Sequence, residues 1–483
     1  MRLFVLIMLI AALGGCAAGP DYRRPPIDAP DAFRFEDKEA KDLANTAWWE
    51  QFQDPAMDEL IGIALIENKD VKIAAARIDQ FLGQLASTRS LLFPQLGADL
   101  NAQRRRSPQS GAPSQSSDNG LVFNQYEATL FLSWEIDVFG RLRRQTEAAR
   151  ANLLASEEGR RATILSLVAA VASSYITLRD LDRQLEISQA TADGRASSLE
   201  VFRQRFEGGV ISALELSQSR AEYEGSLISI PRIEAQIALQ EDALSILLGR
   251  NPGQIRRGRP LTSLAMPVVP AGLPSELLAR RPDLRQAEQN LIAANALIGA
   301  ARAQYFPSVS LTGLLGSLSS QFSDLFTGPA RVWSYGLQAT MPIFTGGDIA
   351  GQVQQVEAQQ QQALLQYQRA IQVAFQEVSD SLVTHQKARD QLALQDRQLG
   401  TLRTYLTLAR LRYDNGYTSY IEVLDAERSL LSAELSYSET QGTVFRSLVN
   451  LYKAMGAGWE IGAEPMKSQG MAPAASAQGN DGR

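Results

Sequence analysis

Cysteine and histidine are almost absent from this sequence of 483 residues, which contains one of each, Cys16 and His385. A disulfide within the chain needs two cysteines, so stability must come from packing or from assembly. One cysteine and one histidine cannot build a metal cluster, and His385 falls on a helical packing seam. No Gly-Lys-Ser or Gly-Lys-Thr phosphate loop is present. We therefore predict a protein that is not an enzyme and has neither a metal site nor a bound cofactor.

Positive charge and long apolar runs are also scarce. The net charge of -6 provides no basic surface for nucleic acid. Beyond the N-terminus no run of about 18 apolar residues occurs, so we expect no membrane-spanning helix. The apolar run from Leu3 to Leu13 is too short to span a bilayer and follows Arg2, which predicts a secretory signal at residues 1–15.

The single cysteine lies at the predicted cleavage point. Leu13-Gly14-Gly15-Cys16 resembles the lipobox of bacterial lipoproteins, in which the cysteine becomes the acylated first residue. The alternative is a cysteine that lies there by chance. We predict covalent lipid on Cys16, and the same resemblance indicates that Ala17 after it favours delivery to the outer membrane.

The chain presents one order of elements twice. Equivalent residues recur at an interval of roughly 210 residues, which indicates an internal duplication. The equivalent pairs are Phe93 and Phe306, Phe139 and Phe344, and Gly209 and Gly416. The predicted division is a signal peptide at 1–15, a lipidated N-terminal extension at 16–56, a first repeat at 57–250, a linker at 251–274, a second repeat at 275–457 and a disordered tail at 458–483.

Each repeat is predicted to contain a helix, two strands, a long helix, a tight turn and a return helix. The first repeat has predicted strands at about 95–104 and 122–138, and long helices at about 141–206 and 212–249. The second repeat has predicted strands at about 308–318 and 332–343, and long helices at about 348–412 and 419–455.

The long helices carry heptad spacing. In the second repeat the seam residues recur at alternating steps of four and three, which is typical of coiled coils. They are Tyr367, Ile371, Ala374, Val378, Ser381, His385, Ala388, Leu392, Gln395, Leu399, Leu402, Leu406, Ala409 and Tyr413. A helix of roughly 65 residues is about 98 Å long, about three times the hydrocarbon thickness of a bilayer. We therefore expect these helices to stand in water, side by side in a wide wall.

The strands alternate between apolar and polar residues. Leu130 and Leu337 lie on the predicted apolar faces, Thr129 and Gln338 lie on the polar faces, and Phe131 is an apolar exception among the polar positions. Strands of about 9 to 11 residues with this alternation are typical of outer membrane barrels. A soluble antiparallel sheet with one wet face is the alternative.

Strand number separates these alternatives, because four strands cannot close a barrel and a bilayer does not tolerate open sheet edges. Two chains would give eight strands, whose interior fills with side chains, whereas three would give twelve and leave room for a pore. The polar faces favour the wider lumen, so we expect a homotrimer. A coiled-coil spacer would explain the helices but would leave the strands without a role.

Several short motifs follow one another over the mature chain: Gly19 to Tyr22, Trp48-Trp49, Arg281 to Asp283, Ala303 to Pro307, Leu424 to Leu430 and Asn450 to Gly456. This ordered set, inside a duplicated helix-strand-strand-helix frame, resembles the TolC-type outer membrane factors, in the lipoprotein branch of tripartite multidrug efflux systems. The resemblance implies a mixed α and β membrane protein, a trimeric 12-stranded β-barrel in the outer membrane that continues as a long periplasmic α-helical barrel.

The same resemblance implies the function and the partners. The chain would be a passive duct that exports drugs or other small molecules received from an inner-membrane pump and a periplasmic adaptor, the membrane fusion protein. It would be lipid-anchored and inserted in the outer membrane, and it would have no nucleic acid partner. The alternative is the outer membrane duct of a type I secretion system or of a metal or siderophore export system. The substrates and the energy source of the pump remain open.

The helix turns at Glu207 to Ile211 and Asp414 to Thr418 are the predicted functional site, since the resemblance implies adaptor contact and a gate at the periplasmic tip. The predicted residues are Arg203, Arg205, Gly208, Gly209, Ser212, Arg412, Asp414, Gly416, Thr418 and Ser419. The glycines can supply the positive φ that a tight reversal needs, and the alternative is that they only form turns. Several relatives place their acidic residue closer to the position of Thr418, which leaves open the role of Asp414.

Overall fold

The computed structural model describes residues 17–26, 47–106, 122–269 and 277–459. The predicted signal peptide at 1–15, the predicted lipid site Cys16 and the predicted tail beyond Trp459 lie outside the described residues.

The described residues form eight α-helices and four β-strands. In chain order they are α1 (Pro55–Glu67), α2 (Lys69–Ser90), β1 (Gln95–Arg106), β2 (Val122–Ile136), α3 (Arg141–Glu207), α4 (Ala213–Leu247), α5 (Leu277–Arg280), α6 (Pro282–Arg302), β3 (Ser308–Ser319), β4 (Arg331–Thr340), α7 (Asp348–Asp414) and α8 (Tyr420–Ala454). The duplication extends to the lengths of the helices, because α3 and α7 both have 67 residues and α4 and α8 both have 35.

Two strands end earlier than the alternation predicted. β4 ends at Thr340 rather than near residue 343, because Pro342 has no N–H to donate to a neighbouring strand. β2 ends at Ile136 rather than near residue 138, and the carboxylate of Asp137 instead accepts hydrogen bonds from the N–H groups of Leu142 and Arg143 at the start of α3.

The chain forms two compact units, and each unit draws on both repeats. The first contains the described residues within Met1–Ile27, Ala75–Glu158 and Leu284–Ala370, and the second contains those within Asp28–Ala74, Gly159–Asp283 and Ile371–Arg483. A repeat is therefore a unit of sequence rather than a unit of packing.

The first unit contains an antiparallel sheet in the order β1-β2-β3-β4. Its register aligns the faces of the individual strands, because paired residues share one face of a sheet. Leu130 pairs with Ala98 and Leu315, and Leu315 pairs with Trp333. The predicted alternation of single strands thus adds up to one apolar face across all four strands.

The opposite face is largely polar but also carries the apolar residues Phe123, Phe131, Leu314, Leu318 and Val332. Phe131 pairs with Gly97, and the aromatic ring lies over the glycine. Thr129 pairs with Gly316, where a Cβ atom would lie 2.6 Å from the Cα atom of Thr129. Thr129 lies on the polar face, but it is only 5% exposed and is therefore not open to solvent.

The second unit has a large apolar core formed by α1, α3, α4, α7 and α8. Trp48 stacks on Tyr452 with 5.0 Å between ring centroids, and Phe52 lies beside Phe445. Residues just before α1, assigned from the sequence to the N-terminal extension, therefore belong to this core.

One stretch of α3 is apolar and long enough to cross a bilayer, which differs from the sequence expectation. Inside the protein 56% of that stretch is buried. Its seam residues Ile164, Val168, Val171, Tyr175 and Leu178 are all in the core, so packing explains the apolar composition. In α7, the seam from Tyr367 to Val378 is buried at each predicted position.

A carboxylate is fully buried at the start of α1. Asp54 caps the helix by accepting the N–H of Ala56 at 2.9 Å, and it also accepts the hydroxyl of Tyr175 at 2.9 Å and the N–H of Arg259 at 3.1 Å. Burial raises the pKa of the Tyr175 hydroxyl, which therefore remains a donor. The Asp54 network ties α1 to α3 and to the linker before α5.

We predict that the half-buried Asp58 makes stability depend on pH. Burial, with the charges of Glu50 and Asp54, raises its pKa from 3.8 to about 6, and one of its oxygens has no hydrogen-bond partner among the described residues. The folded chain therefore binds more protons than the unfolded chain between these values, so stability falls as pH rises through them. Asp58→Asn should raise the melting temperature at pH 7.5 and leave it unchanged below pH 3.8, as measured by circular dichroism.

The exposed Asp79 provides the control, since Asp79→Asn makes the same change away from the core. Equal melting shifts for Asp58→Asn at both pH values would contradict the assignment.

Candidate functional site at the helix turns

The two long hairpins in the second unit reverse through the same backbone motif. Gly209 and Gly416 have φ of 70° and 75°, the left-handed conformation that glycine adopts without strain. Gly209 donates to Phe206 at 2.9 Å, and Gly416 donates to Tyr413 at 2.9 Å. In each turn the next residue donates to the carbonyl five positions back, which completes a Schellman motif. A side chain on either glycine would meet no atom within 4 Å, so the requirement is conformational.

The return helices begin differently in the two hairpins. Ser212 and Glu215 form a capping box, in which Ser212 donates its N–H to Glu215 at 2.9 Å and accepts from the N–H of Glu215 at 3.3 Å. Ser419 and Glu422 have the same spacing, but Ser419 makes no side-chain capping bond. Glu422 pairs instead with Arg412 at 3.3 Å, so this carboxylate links α7 to α8.

The three predicted arginines differ in which element they pair with. Arg205 lies 3.8 Å from Asp414 and connects α3 of one hairpin to α7 of the other. Arg412 pairs within its own hairpin, with Glu422 on the return helix α8. Arg203 pairs only along α3, with Glu200 at 3.0 Å and Glu207 at 3.9 Å.

Three aromatic rings pack beneath these ion pairs. Phe202 stacks on Tyr413 with 6.0 Å between centroids, and it lies 4.3 Å from the ring of Tyr420. Burial, with the charge of Glu427, raises the pKa of Tyr420 to about 12, so the phenol is neutral. The sequence analysis missed Phe202 and Tyr420. The sequence did contain a signal for them. Phe202 lies seven residues after Arg195, and Tyr420 lies seven residues before Glu427, so both fall on helix faces that pack against other helices.

A buried ion cluster joins the hairpins further from the turns. The carboxylate of Glu222 on α4 accepts from Arg195 on α3 at 3.1 Å and from Arg428 on α8. Because Glu222 is 9% exposed, removing either arginine would leave charge poorly paired in the interior. This cluster and the Arg205 to Asp414 pair are two separate links between the hairpins.

An open groove of about 300 Å³ lies beside the aromatic rings. Its charged lining is Arg205, Arg410, Asp414 and Glu427, and Arg410 pairs with Glu427 at 2.7 Å. The groove therefore has both signs of charge around an apolar floor.

The outer surfaces of both turns carry exposed apolar side chains at equivalent positions. Val210 and Leu214 are 75% and 67% exposed at the first turn, and Tyr417 and Ile421 are 78% and 61% exposed at the second. The remaining predicted residues Gly208, Ser212 and Ser419 are exposed beside them, and Thr418 is half-buried. Paired apolar patches of this kind indicate an interaction surface, and the sequence analysis did not identify them.

The first unit holds the described residues nearest the predicted lipid site. Ala18 donates its N–H to the carbonyl of Phe139 at 3.0 Å, where β2 leads into α3. Gly19 lies against Gly299 of α6, and a Cβ atom on Gly19 would lie 2.4 Å from the Cα atom of Gly299. Ala17 is therefore the one residue between Cys16 and a fixed point on the fold.

The next residues of this segment are also held by side chains. The carbonyl of Pro20 accepts from Asn295 at 3.0 Å, Asp21 pairs with Arg144 at 2.7 Å, and the hydroxyl of Tyr22 donates to Glu288 at 3.1 Å. We call Ala17 to Pro26 the N-terminal strap. In the Gly19 to Tyr22 motif, Gly19, Asp21 and Tyr22 each have a contact that depends on the residue type.

No group of three or more His, Cys, Asp or Glu side chains that could hold a metal ion occurs among residues 17–26, 47–106, 122–269 and 277–459.

Comparison with known proteins agrees with this architecture. The family described as outer membrane efflux protein matches residues 60–250 and 273–457. The probable efflux pump outer membrane protein TtgC of Pseudomonas putida is 37% identical over 92% of this chain and 93% of its own length. The cation efflux system protein CusC of Escherichia coli is 34% identical over 93% of this chain and 97% of its own length.

A solved structure shows the same fold. The Campylobacter jejuni CmeC outer membrane channel superposes with a TM-score of 0.86 over 91% of this chain and 95% of that chain, at 25% identity. The predicted resemblance, fold class and outer membrane location are therefore confirmed. This chain belongs to the outer membrane efflux protein family.

Proposed function

We propose that this outer membrane efflux channel protein is a homotrimer that forms a passive duct from an inner-membrane pump and a periplasmic adaptor to the outside. The observation that carries the proposal is the sheet, which has one apolar face, one polar face and two outer strands, β1 and β4, without further partners among the described residues.

Closure of this sheet requires other copies of the chain. β1 and β4 run in opposite directions, so β4 of one copy can pair with β1 of the next in the same antiparallel sense. Three copies pool twelve strands, with the apolar faces toward lipid and the polar faces toward a water-filled lumen. Transport through such a lumen needs no chemistry from the chain, which we propose is not an enzyme.

The strand faces provide the first test of this function. Leu130→Arg and Leu337→Arg should reduce insertion into the outer membrane, because arginine in lipid near the midplane costs about 2 to 4 kcal/mol per chain. Gln338→Arg places the same charge on the lumenal face of the same strand and should be tolerated. The measurement is the amount of heat-modifiable trimer in outer membrane fractions. Equal yields for Leu337→Arg and Gln338→Arg would argue against a barrel.

We also propose that the helix turns are both the adaptor contact and the gate. The exposed pairs Val210 with Leu214 and Tyr417 with Ile421 supply two matching apolar contacts per chain. Beside them, the Arg205 to Asp414 pair links the two hairpins at their ends. An adaptor that covers the apolar pairs could therefore shift the spacing of the hairpins that this ion pair restrains.

The ion pair gives the second test. Arg205→Ala or Asp414→Ala should raise single-channel conductance in planar bilayers, because either change frees the end of one hairpin from the other. An exposed pair is worth only about 0 to 1 kcal/mol, but each trimer contains three copies. The double variant should match the single variants, since each removes the same link.

Arg203→Ala is the matched control, because Arg203 pairs only within α3. If the double variant remains trimeric and conducts like the wild type, these residues do not form the gate.

Lipidation of Cys16 and the export of small molecules complete the proposal. The strap supports an anchor at this point, because it fixes Ala18 to the carbonyl of Phe139 between β2 and α3. The names of relatives cover efflux of toluene, antibiotics and cations, so we assign the choice of substrate to the pump rather than to the duct.

A further inference from the structure

The polar face of the sheet carries an aromatic side chain that the duct itself does not require. Phe131 is 45% exposed on this face, between the polar positions Thr129 and Ser133 of the same strand. Successive side chains of a strand point to opposite faces of the sheet. Phe131 therefore lies on the face opposite to Leu130 and Leu132, which belong to the apolar face. In the proposed trimer Phe131 therefore faces the lumen and not the lipid.

The ring of Phe131 lies over its partner on β1, which has no side chain to displace the ring. Gly97 pairs directly with Phe131, and a Cβ atom on Gly97 would lie 2.3 Å from Cζ of the ring. The ring therefore occupies the space that any other residue at position 97 would fill. The ring remains partly open to the lumen, since Phe131 is 45% exposed.

A second apolar residue extends this surface on the other side. Leu314 is the partner of Phe131 on β3 and is half-buried on the same face. Cross-strand partners have Cβ atoms about 4.5–5.5 Å apart, close enough for one ligand to contact both. Phe131 and Leu314 together form what we call the lumenal apolar patch.

Acidic residues lie on the same face close to this patch. Asp99 pairs with Thr129, two residues along β2 from Phe131, and Glu127 lies two residues further on. Cations are attracted both by these carboxylates and by the negative face of an aromatic ring. The charge and the ring thus favour the same kind of solute.

We propose that the lumenal apolar patch is a transient binding site for aromatic cations that pass through the channel. The inference rests on the proposed trimeric duct, because only the closed barrel makes this face a lumen. Three copies of the patch at one height would form an apolar band inside the pore.

Channel block in planar bilayers tests the site. Benzyltrimethylammonium is the probe, and tetraethylammonium is a cation of similar size without a ring. Phe131→Ser should raise the concentration of benzyltrimethylammonium needed for half-block by about fivefold to tenfold, as expected for loss of one aromatic contact. Block by tetraethylammonium should shift less, because this cation has no ring to stack on Phe131 and the substitution leaves every charge in place.

Three further variants make the result specific. Ser133→Ala, at the next lumenal position of β2, should behave like the wild type. Phe131→Leu keeps an apolar side chain and should give an intermediate value, and it replaces Phe131→Ser if that variant does not assemble. Gly97→Val should lower conductance, because it displaces the ring from the sheet toward the lumen.

The possible failures are distinguishable. If the wild-type trimer forms no pores, the proposed duct fails. If pores form but half-block by benzyltrimethylammonium is the same in the wild type and in the Phe131 variants, the duct stands and the binding site is overturned. An equal shift for both cations would also overturn it, since the ring would then have no specific role.

Discussion

Backbone hydrogen bonding at the outer strands β1 and β4 is the constraint on which the rest of the molecule depends. A bilayer offers no water to an unpaired N–H or carbonyl group, and each such group costs several kcal/mol. The described part of one chain supplies four strands and leaves an edge at each side of the sheet. Assembly is therefore part of folding for the membrane portion. Because every chain also contributes two long hairpins, the number of copies that closes the sheet fixes the number of helices in the periplasmic wall.

The sequence allowed prediction of those features that depend on the periodic spacing of apolar residues. Heptad spacing identified the seam of α7, and strand alternation identified the faces of the sheet, because both patterns repeat over many residues. Features that depend on one local contact were not predictable. The burial of Thr129 depends on Gly316 in another repeat, and the end of β4 depends on Pro342. The partner of each arginine at the turns depends on how far the hairpins rotate about their axes, which residue spacing does not determine.

The duplicated turns have the same backbone but different side-chain connections. In the first hairpin Glu215 completes a capping box, so the start of α4 is stabilised by its own residues. In the second hairpin the equivalent Glu422 is used by Arg412, and the start of α8 lacks this cap. The equivalent arginine, Arg205, is consequently available for Asp414 in the other hairpin. After duplication the first hairpin caps its own return helix and its arginine reaches the other hairpin, whereas the second hairpin uses its arginine within its own turn. This difference allows the two hairpins to respond differently to one partner.

The contact between Gly19 and Gly299 determines how freely the N-terminus can move in the plane of the membrane. Hydrogen atoms are all that fit between the two backbones, and the strap continues along α6 through Tyr22 and Glu288. With the strap in place, one residue, Ala17, and about 7 Å of chain separate Cys16 from Ala18. If the strap were released, its ten residues could extend over about 33 Å. A lipid on Cys16, as proposed, would then search an area of bilayer around the barrel, whereas the bound strap would keep it near the point where β2 leads into α3.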